Sequence, residues 1–108
     1  MTRRDANYQD TAPALEEVSA KPGVVLLDFG TDWCGHCVAA RSAVDDWVGK
    51  STAIDHFRIE DGRGRALGRA FGVKLWPTLV LLRDGNEIAR AVRPREARDL
   101  HPLDEATR

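Results

Sequence analysis

The stretch Val24-Val25-Leu26-Leu27-Asp28-Phe29-Gly30-Thr31-Asp32-Trp33-Cys34-Gly35-His36-Cys37 decides the fold. Val24 to Phe29 is apolar at nearly every position, the pattern of a strand buried on both faces in the centre of a sheet. Gly30 to Trp33 then turns the chain. A helix follows from Gly35, with Ala40, Val44, Trp47 and Val48 on one face and Gly49 at its end. The chain's two cysteines therefore stand together at a strand-to-helix junction.

Upstream, Met1 to Asp10 is polar and is expected to fray, leaving residues 11–108 as one domain. Thr11 is placed to cap a short helix, with Pro13 in its first turn and Leu15 and Val18 at helical spacing. Lys21-Pro22-Gly23 stops that helix. Downstream, Ala53 to Ile59 reads as a second strand. Gly62 to Phe71 reads as a helix weakened by Gly62, Gly64 and Gly68. Thr78 to Leu82 and Glu87 to Val92 form two further strands across an Asp84-Gly85 hairpin turn. Arg95 to His101 gives a last helix, stopped early by Pro102. The order predicts an α/β fold: a mixed four-stranded sheet with helices on both faces.

A chain of 108 residues, 43% apolar and 31% charged, has the balance of a single globular domain and not of a disordered one. Sixteen Lys and Arg against seventeen Asp and Glu leave a net charge of −1, which argues against a nucleic-acid binder that neutralises phosphates. No apolar run approaches a membrane span. The polar N-terminus lacks the apolar stretch of a secretory signal, so the expected compartment is the cytoplasm.

A disulfide closing so short a loop adds little stability, and structural disulfides are rare in a reducing compartment. The cysteine pair therefore reads as chemistry. Cys34, near the helix N-terminus, faces unpaired N–H groups and the positive end of the helix dipole, so its thiolate should form below the free value of about 8.5. Cys37, one turn in and on the buried side, should hold its proton. Cys34 then attacks a substrate disulfide and Cys37 displaces the mixed disulfide. His36, between them, is expected to add positive charge beside Cys34. A zinc site is disfavoured because one C-x-x-C supplies only two of four ligands; two thiolates would suffice for copper(I). Asp28 also stands out, since a carboxylate buried unpaired in an apolar strand is expensive. It is either an acid near Cys37 that exchanges protons or an edge residue reaching water.

Together with Phe71-Gly72-Val73, Trp76-Pro77-Thr78 and Asp84-Gly85, these residues resemble the thioredoxin family from roughly Ala12 to Val92. The resemblance implies a thiol-disulfide oxidoreductase without a cofactor or a metal. It makes Asp28 the proton acceptor when Cys37 attacks, and it implies a cis peptide between Trp76 and Pro77. Trp33, Gly35, Trp76 and Pro77 would line the substrate groove, with Trp76 offering its backbone to an extended segment of a protein disulfide substrate. Arg58 falls where the family often has a Lys near that Asp. An NADPH-dependent flavin reductase is the implied recharging partner, and the chain is expected to act as a monomer.

The sequence also departs from the family's pattern. The first strand is missing from Met1 to Gln9. Ser42 replaces a kinking Pro in the active-site helix. Arg93-Pro94 occupies the place of a Gly after the last strand, and Pro102 shortens the last helix, leaving one sheet face thinly covered. Gly35-His36 is the protein disulfide isomerase pattern, which favours exchange over reduction. The alternative reading is a binding or adaptor module whose cysteines are incidental.

Overall fold

The computed structural model describes residues 2–51 and 53–108. Met1, at the head of the polar N-terminal segment, lies outside them. β1 (Val24–Gly30) is central, as its unbroken apolar run requires. It pairs in parallel with β2 (Asp55–Glu60) and antiparallel with β3 (Thr78–Arg83), which pairs antiparallel with β4 (Asn86–Val92). The order β2-β1-β3-β4 is the expected mixed four-stranded sheet. Asp84 and Gly85, with φ of 51° and 85°, make the two-residue hairpin between the paired Arg83 and Asn86. A Cβ on Gly85 would lie 1.9 Å from the Ser19 carbonyl oxygen, so the turn packs directly on α1 (Leu15–Ala20).

Strand alternation divides the core in two. Leu26, Leu79, Leu81 and Ala91 face α2 (Gly35–Gly49) and the C-terminal helices, burying against Ala40, Val44, Trp47, Leu100 and Leu103. Val25, Leu27, Phe29, Phe57 and Val80 face α1 and α3 (Ala66–Ala70), against Val18 and Leu67. Each fully buried Val, Leu or Phe among them contributes about 1.5–3 kcal/mol through burial. By the same alternation Asp28 shares the face of Leu26, and His56 and Arg58 lie opposite Phe57 and Ile59. The end of the sheet beneath the start of α2 is therefore polar inside.

Four expectations are corrected. Thr11 does not cap α1: its hydroxyl bonds Asp10 Oδ1 at 3.3 Å, the helix begins at Leu15, and Glu17 reaches back to the Ala14 N–H. α3 is only Ala66–Ala70, because Gly62 and Gly64 take φ of 146° and 79°. Pro102 does not end the last helix but sits in the first turn of α4 (His101–Ala106), which follows a short 3₁₀ turn over Ala97–Leu100. Leu100 and Leu103 are fully buried, so that face of the sheet is covered.

The fourth correction concerns the N-terminal segment, expected to fray. It forms no named strand but lies alongside β2, bridging in parallel at Arg4–His56 and Gln9–Ile59. The His56 N–H donates to the Arg3 carbonyl at 2.8 Å, and the Glu60 N–H to the Gln9 carbonyl at 2.8 Å. Its polar sequence hid this because main-chain bonds at a sheet margin need no apolar side chains. Among the described residues no helix is long and apolar enough to cross a membrane.

Candidate active site

The turn from β1 into α2 places Cys34 at the N-cap of α2, with its carbonyl accepting the first helical bond from the Val38 N–H at 3.0 Å. Both cysteines are free; Cys34 is partly exposed and Cys37, one turn later, is buried. α2 runs unbroken to Gly49, as Ser42 in place of a kinking Pro allows. Among the described residues, no three His, Cys, Asp or Glu side chains cluster as metal ligands.

The two thiols are displaced in opposite directions. Partial burial opposes ionisation of Cys34, but the backbone N–H groups of Cys37 and His36, the Cys37 thiol and the charge of Arg93 outweigh it, and its value is lowered. Burial pushes the Cys37 thiol up to about 11, and the neighbouring Cys34 adds to the rise. The exposed His36 acts on Cys34 through its main-chain N–H and not through the charge expected of it; the cationic side chain that contributes is Arg93, which stands where the family has a Gly after the last strand. Arg93 adopts φ 51°, the left-handed conformation a Gly would take without strain.

Asp28 lies beneath, 1% exposed, and it is paired. Its Oδ2 meets Arg58 Nε and His56 Nε2, each at 3.2 Å, while the Tyr8 hydroxyl donates to its Oδ1 at 2.6 Å. Arg58 is equally buried and also donates to Asp45 Oδ1 at 2.9 Å and to the Asp5 and Ala6 carbonyls. A buried charge is tolerable only when paired in this way. The resemblance placed Arg58 near Asp28, and the structure pairs them; the contacts of Tyr8 and His56 with Asp28 had no signal in the sequence, and only the fold brings these two to it.

Gly30 closes the group. A Cβ there would lie 2.5 Å from Cys37 Sγ and 3.0 Å from both Cζ and Oη of Tyr8, so only glycine lets the thiol and the phenol approach.

The Trp76–Pro77 peptide is cis, as the resemblance implied. Trp76 Nε1 donates to Asp61 Oδ2 at 2.8 Å, and Asp61 has room because residue 68 is glycine: a Cβ there would sit 2.2 Å from Asp61 Oδ1. Trp33, 76% exposed, meets the Trp76 ring edge-on at 5.9 Å. Arg93 Nε donates to the Trp76 carbonyl at 2.9 Å, and the Arg93 N–H to the Pro77 carbonyl at 2.8 Å. Gly35, beside Cys34, faces open space.

The comparisons with known proteins agree with this geometry. The thioredoxin family model matches residues 6–103. Thioredoxin of Chlamydia muridarum is 30% identical over 74 residues, 68% of this chain and 72% of that protein. Thioredoxin 2 from Pseudomonas aeruginosa PAO1, solved in its reduced form, superposes with a TM-score of 0.83 at 47% identity over 95% of both chains. A mutant thioredoxin from Halobacterium salinarum NRC-1 superposes with a TM-score of 0.67 at 31% identity, over 90% of this chain and 84% of that one. The adaptor reading is not favoured. This chain belongs to the thioredoxin family and is a thiol-disulfide oxidoreductase.

Proposed function

We propose that the chain reduces disulfides of protein substrates, with Cys34 as attacking thiolate, Cys37 as resolving thiol and Asp28 as the acceptor of the Cys37 proton. The observation that carries this reading is the opposite displacement of the two thiols: lowered at the accessible sulfur, raised to about 11 at the buried one. Thiol-disulfide exchange requires the anion at the attacking atom. Gly35 leaves the approach to Cys34 open, and Trp33, Trp76 and Pro77 form the groove. A substrate segment adding as a strand at Trp76 competes with Arg93 for the Trp76 carbonyl. His36 supports the thiolate through its main chain. An NADPH-dependent flavin reductase recharges the pair, and the protein works as a monomer in the cytoplasm, in electron transport that maintains redox homeostasis.

A second reading, disulfide exchange or oxidation, draws on Gly35-His36 between the cysteines and on the stabilised Cys34 thiolate, since stabilising the thiolate stabilises the reduced form. Equilibration against glutathione buffers separates the two. A midpoint below a cytosolic poise of about −220 mV is the expected result for a reductant; a midpoint above it assigns the chain to exchange.

A further inference from the structure

The two oxygens of Asp28 have different partners. Oδ2 is held by Arg58 and His56, while Oδ1 receives the hydroxyl of Tyr8, the chain's single tyrosine. Cys37 Sγ and Tyr8 Oη both border the point a Gly30 Cβ would occupy, at 2.5 Å and 3.0 Å from it, and the nearby Tyr8 hydroxyl is among the groups that ease ionisation of Cys37. The phenol thus stands between the resolving thiol and the buried carboxylate. It is delivered there by the N-terminal segment, whose Tyr8 N–H donates to Asp32 Oδ1 at 3.1 Å and whose carbonyls at Asp5 and Ala6 accept from Arg58.

We propose that the Tyr8 hydroxyl is a catalytic proton relay, carrying the proton of Cys37 to Asp28 as the mixed disulfide is resolved. This rests on the reading of Cys37 as the resolving thiol. The S–H bond of Cys37 breaks as an O–H bond forms at Tyr8, and the O–H bond that Tyr8 already had breaks as one forms at Asp28 Oδ1. The Cys37 sulfur, now anionic, bonds to the Cys34 sulfur of the mixed disulfide. The electron pair of the old S–S bond leaves with the substrate sulfur as thiolate. Cys34 and Cys37 end oxidised, the substrate reduced and Asp28 protonated. Tyr8 is neutral before and after.

The electrostatics favour a neutral relay. Burial, and then the negative charge of Asp28, hold the phenol well above its ordinary value, so a tyrosinate is not an intermediate and the two protons move together. The charged and titratable groups around the path are Cys34 beside Cys37, Arg58 and His56 on Asp28, and Asp45 behind Arg58.

The test is a single turnover of the reduced full chain with 5,5′-dithiobis(2-nitrobenzoic acid). Attack by Cys34 releases one thionitrobenzoate; resolution by Cys37 releases the second. Tyr8→Phe, which keeps the ring, is expected to slow the second phase relative to the first by about tenfold or more at pH 7 and to make it rise with pH. Asp28→Asn should slow the same phase, and the double variant should be no slower than the slower single one, because both act on one path. A Tyr8→Phe second phase as fast as wild type, or a double variant slowed by the product of the single effects, overturns the relay. A wild-type protein that releases only one equivalent overturns the resolving role of Cys37 itself, a distinct failure. The proton inventory of the wild-type second phase in mixed H2O and D2O needs no variant: a quadratic dependence supports two protons in flight, and a linear one rejects them.

Discussion

Arg93 shows how one side chain ties the site's backbone to its chemistry. Its Nε holds the Trp76 carbonyl, its N–H holds Pro77, and its charge favours the Cys34 thiolate. Arg93→Gln removes the charge and leaves the side chain able to donate a hydrogen bond. An exposed charge pair is worth about 0.2–1 kcal/mol, so iodoacetamide should modify Cys34 about 1.5- to 5-fold more slowly near neutral pH. The same rate in the variant, with the same pH profile, would remove Arg93 from the electrostatics of Cys34. Legibility at this scale follows whether a residue breaks a local rule. Cys34 and Cys37 were legible as a close thiol pair at a helix start, and Asp28 as a carboxylate in an apolar strand. Arg58 was legible only through the family resemblance, while Arg93, Tyr8 and His56 sit in polar or mixed segments where any polar residue is ordinary. Their roles come from contacts between positions far apart in sequence, and one sequence contains no record of such contacts.

At the scale of elements, strands were read more faithfully than helices. β1 and β3 are long apolar runs, and Asp84-Gly85 leaves one reading for the turn between β3 and β4. Pro102 allowed two readings. A proline lacks the N–H that a helix interior needs, yet the first turn does not use that N–H, so the same residue ends one helix or opens another. Here it opens α4, and the helix carries Leu103 into the core beside Trp47, Leu26 and Leu81. Truncating a fully buried leucine removes its transfer free energy and leaves a cavity. Leu103→Ala should therefore destabilise the protein by about 2–5 kcal/mol in urea unfolding. The alkylation rate of Cys34 should stay unchanged, since α4 packs chiefly on β4 and the 3₁₀ turn. A loss below about 1 kcal/mol would mean that α4 does not cover this face in solution.

Across the whole molecule, the sheet serves two chemistries on one face. Towards α4 it is an apolar core; beneath the start of α2 it is an ion-paired cluster roofed by the N-terminal segment. Folding sets the two thiols apart, so the stability of the reduced protein must depend on pH in two opposed ways. Cys34 has a folded value below its ordinary 9.0; the unfolded chain binds that proton more tightly, and the stabilisation is present above 9.0 and lost as pH falls through the folded value. Cys37 has a folded value of about 11; its stabilisation is present below the ordinary 9.0 and lost as pH rises towards about 11. Subtracting the stability of Cys34→Ser/Cys37→Ser, measured in urea under reductant at each pH, cancels the remaining groups to first order. The difference should rise with pH from the acid side, peak near pH 9 and fall by pH 11. A difference that stays flat, or climbs without a maximum, would show that the fold does not hold the two sulfurs in opposite protonation states, and the assignment of attacking and resolving roles would fall with it.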